Sequence, residues 1–297
     1  MNAMMTTLKR TTGALALVAS FTASAEWFGE YQDAPVTATK LTDGYVRWFI
    51  ETQRDGLGTH YAVSGYPYDT CMWTGRVPQP EYIPSWRARW WPYEQGGYLT
   101  DGLGRVGIYL DDPRLKKLLS DSVEYAVSNR NAAGLFGNDD TDPWANSVFA
   151  RAMMAQYDLT GDKRILDLLV GFYRFLSKMD ETQFIPSYAD QEGSGSWHWC
   201  IQVARAGDAL PVIYACYDKT RQPWLLDLAA RTWRHRERPR LFMNNHNVNF
   251  AQLFGYGTVM SRLTRSPADR ASADFWFDLH MKAWSNSPRW GFAADEN

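Results

Sequence analysis

The sequence predicts an all-α protein built as an (α/α)6-type toroid of helical hairpins, and three observations predict it. A short turn signature recurs four times: "LDDPR" at 110–114, "LTGDK" at 159–163, "KTRQP" at 219–223 and "LTRSP" at 263–267. These turns lie about 45 to 60 residues apart, a spacing suited to one repeated helix pair. Each follows a segment that is apolar or small on most sides and precedes one with a single apolar stripe. A helix that is apolar all round is buried all round, whereas a one-sided helix lies at the surface. Finally, the alternation of apolar and polar residues that marks a half-buried strand is weak throughout.

Taken in order, residues 1–25 read as a secretory signal. Lys9-Arg10 precede the weakly apolar run "TTGALALVASFTASA", which ends on Ala23-Ser24-Ala25 and is followed by Glu26. That order of basic, apolar and small residues is the pattern of a cleaved leader, and the run is too short to span a bilayer stably. Export to the periplasm or the exterior is expected, with no stable membrane insertion and with residues 26–297 forming one barrel domain.

A leading helix is expected over about 38–54, followed by "EQGGYLTDGLGRVGIYLDDPRL" at 94–115, where an inner helix runs into Asp-Asp-Pro. Its outer partner carries Leu115, Leu118, Leu119, Val123 and Val127 at helical spacing. Further inner helices are expected over 145–159, 202–218 and 248–263. Their outer partners carry the stripes Ile165, Leu168, Leu169, Phe172, Leu176, then Leu225, Leu228, Ala229, Trp233, then Phe275, Leu279, Ala283. A Pro or Asp opens each outer helix, where the first amides have no helical partner. The connections ahead of the inner helices, "GLFGNDDTDPW", "ADQEGSGSWHW" and "MNNHNVN", are longer and rich in Gly, Trp, Asn and Asp. In a toroid they converge on one end, which is therefore the expected cleft. One leading helix and four hairpins make about nine helices, against twelve in a closed ring of six hairpins. The barrel is thus expected to be incomplete at its C-terminal side, and the chain to be part of a longer enzyme.

Composition narrows the function. The 297 residues carry a formal net charge of -2, which argues against the basic face of a nucleic-acid binder. There are 14 Trp and 16 Tyr, more amphipathic rings than a core requires and well suited to stacking on hydroxylated ligands. Cys71, Cys200 and Cys216 are an odd number and do not form a disulfide framework. Cys200 and Cys216 stand about 24 Å apart along one expected helix, while a Cys71–Cys200 bridge remains open. No Cys or His spacing offers a metal site, so no cofactor is expected within residues 1–297. "NDDTD" at 138–142 reads as a solvated or calcium-holding loop.

The candidate site residues gather where inner helices begin. Glu94 and Asp101 are placed to bind hydroxyls, or Asp101 pairs with Arg105 four residues on. Asp208 lies on an inner helix, where a charge needs a partner; Arg205 is the expected one, in a binding role or a structural pair. Trp197, His198 and Trp199 suit a sugar subsite or a hydrophobic plug, and Trp144 carries the same two readings. Asn245 and His246, in "MNNHNVN", suit donation to a sugar hydroxyl, with a helix cap as the alternative for His246.

The stretches "YLTDGLGRVGIYLDDPRL", "YDLTGDKRILDLL", "YDKTRQPWLLDLA", "HNVNFAQLFGYGTVMSRLTRSP" and "WGFAADE" together resemble glycoside hydrolase family 127, over roughly residues 80 to 297. The family's best known activity is retaining β-L-arabinofuranoside hydrolysis on an (α/α)6 barrel. The resemblance implies that Glu296 is the general acid/base and that His246 lines the sugar site. It also implies a zinc-bound cysteine nucleophile, with its ligands lying past the segment that carries Glu296. Zinc is therefore expected only with a cysteine region beyond Asn297. The family's inner-helix His before the "LTGD" turn is replaced here by "PWANSVF". The expected partner is a carbohydrate. An inactive carbohydrate-binding scaffold is the alternative, as is a polysaccharide lyase or unsaturated uronyl hydrolase on a similar toroid.

Overall fold

The computed structural model describes residues 35–68, 73, 91–136, 143–179, 206–234, 257–262, 264–286 and 291–292. These residues are mostly helical. Helix α1 spans Tyr45–Gln53, α2 Trp91–Leu110, α3 Pro113–Ser128, α4 Pro143–Thr160 and α5 Lys163–Lys178. Helix α6 spans Leu210–Thr220, α7 Trp224–Arg234 and α8 Pro267–Trp284, and residues 257–262 are helical ahead of α8. Among the described residues the only extended pairing joins Ser285–Asn286 to Gly291–Phe292.

Consecutive helices fold back on one another. A Cβ at Gly104 would lie 3.0 Å from Leu119, and one at Gly107 would lie 2.7 Å from the Leu115 Cβ, so α2 and α3 run antiparallel at backbone contact. Helices α4 and α5 pack as the next pair, and α6 and α7 as the third. The first helices of the pairs run parallel to each other. Gly97 of α2 faces Val148 of α4, and four residues on Asp101 reaches Arg151. Arg151 in turn reaches Asp208, just ahead of α6, and Asp158 reaches Lys219 at 3.2 Å near the other end of that pair. The second helices, α3, α5 and α7, pack in sequence outside them.

The stripes read from sequence account for this layering. Leu115, Leu119 and Val123 of α3, Ile165, Leu168, Leu169, Phe172 and Leu176 of α5, and Leu225, Leu228 and Ala229 of α7 are all buried. All but Leu115 meet Phe149, Ala150, Met153 and Met154 of α4 in one core. Trp73 joins it from outside the helices. Its ring stacks on Phe149 with centroids 4.1 Å apart, and its indole N–H donates to the Phe136 carbonyl at 3.1 Å.

All four turn signatures use one geometry. Asp111, Gly161, Arg221 and Arg265 each take a left-handed backbone, with φ of 56°, 69°, 54° and 60°. This conformation stops a helix and lets its last carbonyls find donors. The amides of Gly161, Arg221 and Arg265 donate to the carbonyls four residues back at 2.7, 2.7 and 2.9 Å. The hydroxyls of Thr160, Thr220 and Thr264 also donate four residues back, at 2.8, 2.7 and 3.0 Å. The next helix is then capped. Asp112 accepts from the amides of Arg114 and Leu115, Asp162 from that of Arg164, and Ser266 from that of Ala268. The Arg114 guanidinium and these amides hold the Asp112 carboxyl down at about 2.

Three expectations are corrected. The leading helix begins at Tyr45 rather than about 38, because Gly44 turns the chain with φ 135°. The third inner helix proper begins at Leu210, preceded by a 3-10 turn over Ala206–Ala209, with Pro211 in its first turn. In α8, Phe275 and Leu279 are 60% and 36% exposed, whereas Ala273 is buried. Gly257 sets that rotation, since a Cβ there would lie 3.0 Å from the Ala273 Cβ and 2.3 Å from the Asp269 carbonyl.

Candidate functional site

The parallel inner helices bring a charged cluster to their shared face. Glu94 stands in the first turn of α2, where the partial positive charge of the amide ends favours a carboxylate, and is buried there. Two turns further along, Asp101 accepts from Arg105 at 2.8 Å, the pair expected from their spacing. Across the interface, Arg151 of α4 sits with Nε 3.7 Å from Asp101 Oδ2 and Nη1 3.5 Å from Asp208 Oδ1. Its guanidinium lies 5.6 Å from the centre of the Tyr98 ring. One arginine therefore links α2, α4 and the head of α6. The side chains of Asp101, Arg151 and Asp208 are 16%, 28% and 10% exposed, a cluster mostly withdrawn from water with an edge still open.

The Tyr173 hydroxyl of α5 lies beneath this cluster, fully buried and without a hydrogen-bond partner among the described residues. Burial pushes it well above the usual phenol range; the charges of Cys216 and Asp208 add to the shift and that of Arg151 opposes it. Cys216 is also buried, and desolvation pushes its thiol up to about 12. A metal-binding or nucleophilic cysteine must be a thiolate, so Cys216 does not fit the zinc site that the resemblance implies. Among the described residues no group of His, Cys, Asp and Glu is arranged to hold a metal ion. Nor is any described helix long and apolar enough to cross a membrane.

Cations on tyrosine rings recur along the inner wall. Arg151 lies over Tyr98, Lys219 over Tyr157 at 5.1 Å, and Arg262 over Tyr214 at 4.2 Å. In each case the cation belongs to the later inner segment and the ring to the one before it. Such contacts fix the rotation of one helix against the next and contribute about 0.5–2 kcal/mol each as they are desolvated.

Of the residues proposed from sequence, Glu94, Asp101 and Asp208 are brought to the inner wall. Asp208 meets Arg151; Arg205, its expected partner, lies outside the described residues. Trp144 is the second residue of α4, and its side chain lies outside the description. Trp197, His198, Trp199, Asn245, His246 and Glu296 also lie outside the described residues, as do 138–142, Cys71, Cys200 and the leader at 1–25. Sequence reasoning missed Arg151 and Tyr98. The signal was present, because Arg151 is the single charge in the run "PWANSVFARAMMAQY", and a charge on a buried helix is retained there only with partners.

No protein-family model, curated protein or solved structure matches the chain.

Proposed function

We propose that this chain is an exported carbohydrate-active domain, in which the hairpins continue as a toroid around a sugar-binding cleft and hydrolyse a glycosidic bond by general acid/base chemistry. The observation that carries the reading is the inner-wall array of Tyr98, Asp101, Arg151 and Asp208. Carboxylates and a guanidinium in alternation offer acceptors and donors to neighbouring hydroxyls, and an aromatic ring beside them offers a face for a sugar ring. The resemblance to glycoside hydrolase family 127 supports the same reading. It makes Glu296 the group that protonates the leaving oxygen and then activates water, with His246, Asn245, Trp144 and Trp197–Trp199 around the sugar.

The second reading is a binding scaffold with the same cleft and no turnover. It is favoured by the double pairing of Asp101 with Arg105 and Arg151, which suits a holding role better than proton transfer. Hydrolysis of 4-nitrophenyl furanosides and pyranosides by the purified protein, beside calorimetric titration with the matching oligosaccharides, separates the two. Release of nitrophenol supports the hydrolase, binding without release supports the scaffold, and neither signal across the panel removes both.

A further inference from the structure

The three cation-on-tyrosine contacts are built alike and satisfied differently. Lys219 is closed on Asp158 at 3.2 Å, and Arg262 donates to the Tyr214 hydroxyl at 2.7 Å. Arg151 stands between two carboxylates, and both contacts are long, at 3.7 Å to Asp101 and 3.5 Å to Asp208. Its Nε is buried and has no hydrogen-bond partner among the described residues. A well-made charge-assisted N–H···O bond is about 2.7–2.9 Å long. Here the guanidinium holds two acids near itself without closing on either.

We infer that Arg151 is the positioning residue of the proposed sugar site: it presents Asp101 and Asp208 side by side to the ligand and closes on both when hydroxyl groups bridge them. The inference rests on the carbohydrate reading. Long contacts that tighten only in the complex are a usual condition of sites without ligand. The fork shape of arginine is needed, because one planar group must address two acids through separate nitrogens, which a lysine ammonium cannot do in fixed geometry. The Lys219 contact has the same ring-and-cation plan with one acid already closed, so it serves as the internal control.

The test compares wild type, Arg151→Lys, Arg151→Met and Lys219→Met by thermal unfolding, by titration with the oligosaccharide that wild type binds, and by KM and kcat on any glycoside it turns over. Arg151→Met is expected to weaken binding or raise KM about 10- to 100-fold, the range for losing a charge-assisted contact. Arg151→Lys recovers part of that loss, because the charge remains and the fork does not. Lys219→Met lowers the thermal midpoint and leaves binding unchanged. Should Arg151→Met fail to fold, Arg151→Lys against Lys219→Met gives the same contrast. Wild-type affinity in both Arg151 variants overturns the positioning role while the carbohydrate reading stands. Equal loss of binding in Lys219→Met overturns it as well, since the contacts would then be structural alike. A wild type that binds no glycan in the panel overturns the reading and this inference together.

Discussion

The turn end of the hairpins and the inner wall they support are held in opposite ways. At the turns the backbone amides and threonine hydroxyls are closed: those around Gly161, Arg221 and Arg265 are joined by bonds of ordinary length. On the inner wall the Arg151 Nε and the Thr100 hydroxyl are buried without hydrogen-bond partners among the described residues, as is the Tyr173 hydroxyl of α5 beneath it. Turns that close themselves locally can carry a wall that is left polar and incompletely bonded. Closed bonds gather at the turns, and incompletely bonded polar groups along the wall.

The strongest way to break this contrast is at the backbone contact beside the first turn. Gly107→Val places a side chain where even a Cβ would lie 2.7 Å from Leu115 and 2.8 Å from the Lys116 amide nitrogen. A loss near the top of about 1–3 kcal/mol is expected, read as a lower urea midpoint by circular dichroism; an unchanged midpoint would mean that α2 and α3 do not meet there.

Asp112→Ala removes a cap and should cost about 0.5–2 kcal/mol at neutral pH. The cost has a direction in pH. The native carboxyl is held at about 2, below its ordinary value of 3.8, so its contribution is full above about pH 4 and is lost as pH falls through 2. Wild type and variant should therefore converge in stability by about pH 2. A gap that persists undiminished there would sink the pairing of Asp112 with Arg114.

Beneath the wall the sign reverses. Tyr173→Phe removes a buried hydroxyl with no partner among the described residues, so its thermal midpoint should match or exceed that of wild type. A clear drop would show that the hydroxyl is bonded in solution. The smallest effect returns to the turns. Arg265 holds φ 60° with a side chain, a conformation that glycine adopts without penalty. Arg265→Gly should raise the thermal midpoint by about 1–3 °C, and a fall would place the strain elsewhere.

The same contrast decides what was legible in the sequence. The four turns were readable because a cap needs particular side chains at fixed offsets, as in "LTGDK" and "LDDPR". The inner and outer character of the helices was readable because charge is either scarce on every side of a helix or leaves one face clear. The rotation of α8 was not. The close approach of Gly257 to Ala273 outweighs a stripe of larger residues, and small-on-small contact leaves no periodic signal. The start of α1 was missed because Gly44 breaks a run whose composition suits a helix. At the site, the Asp101–Arg105 pair followed from spacing along one helix. Arg151, which meets Asp208, comes from another helix, α4, and no spacing along the chain reveals that contact.

The shared geometry of the turns bears on how such a molecule changes size over generations. Each helix pair carries its own stop, its own start and its own bonds between them, so a pair is a self-contained block. Blocks of this kind can be duplicated or deleted whole. Lineages descended from this architecture should therefore differ by steps of one hairpin, each step carrying one turn of the kind seen at Asp111, Gly161, Arg221 and Arg265.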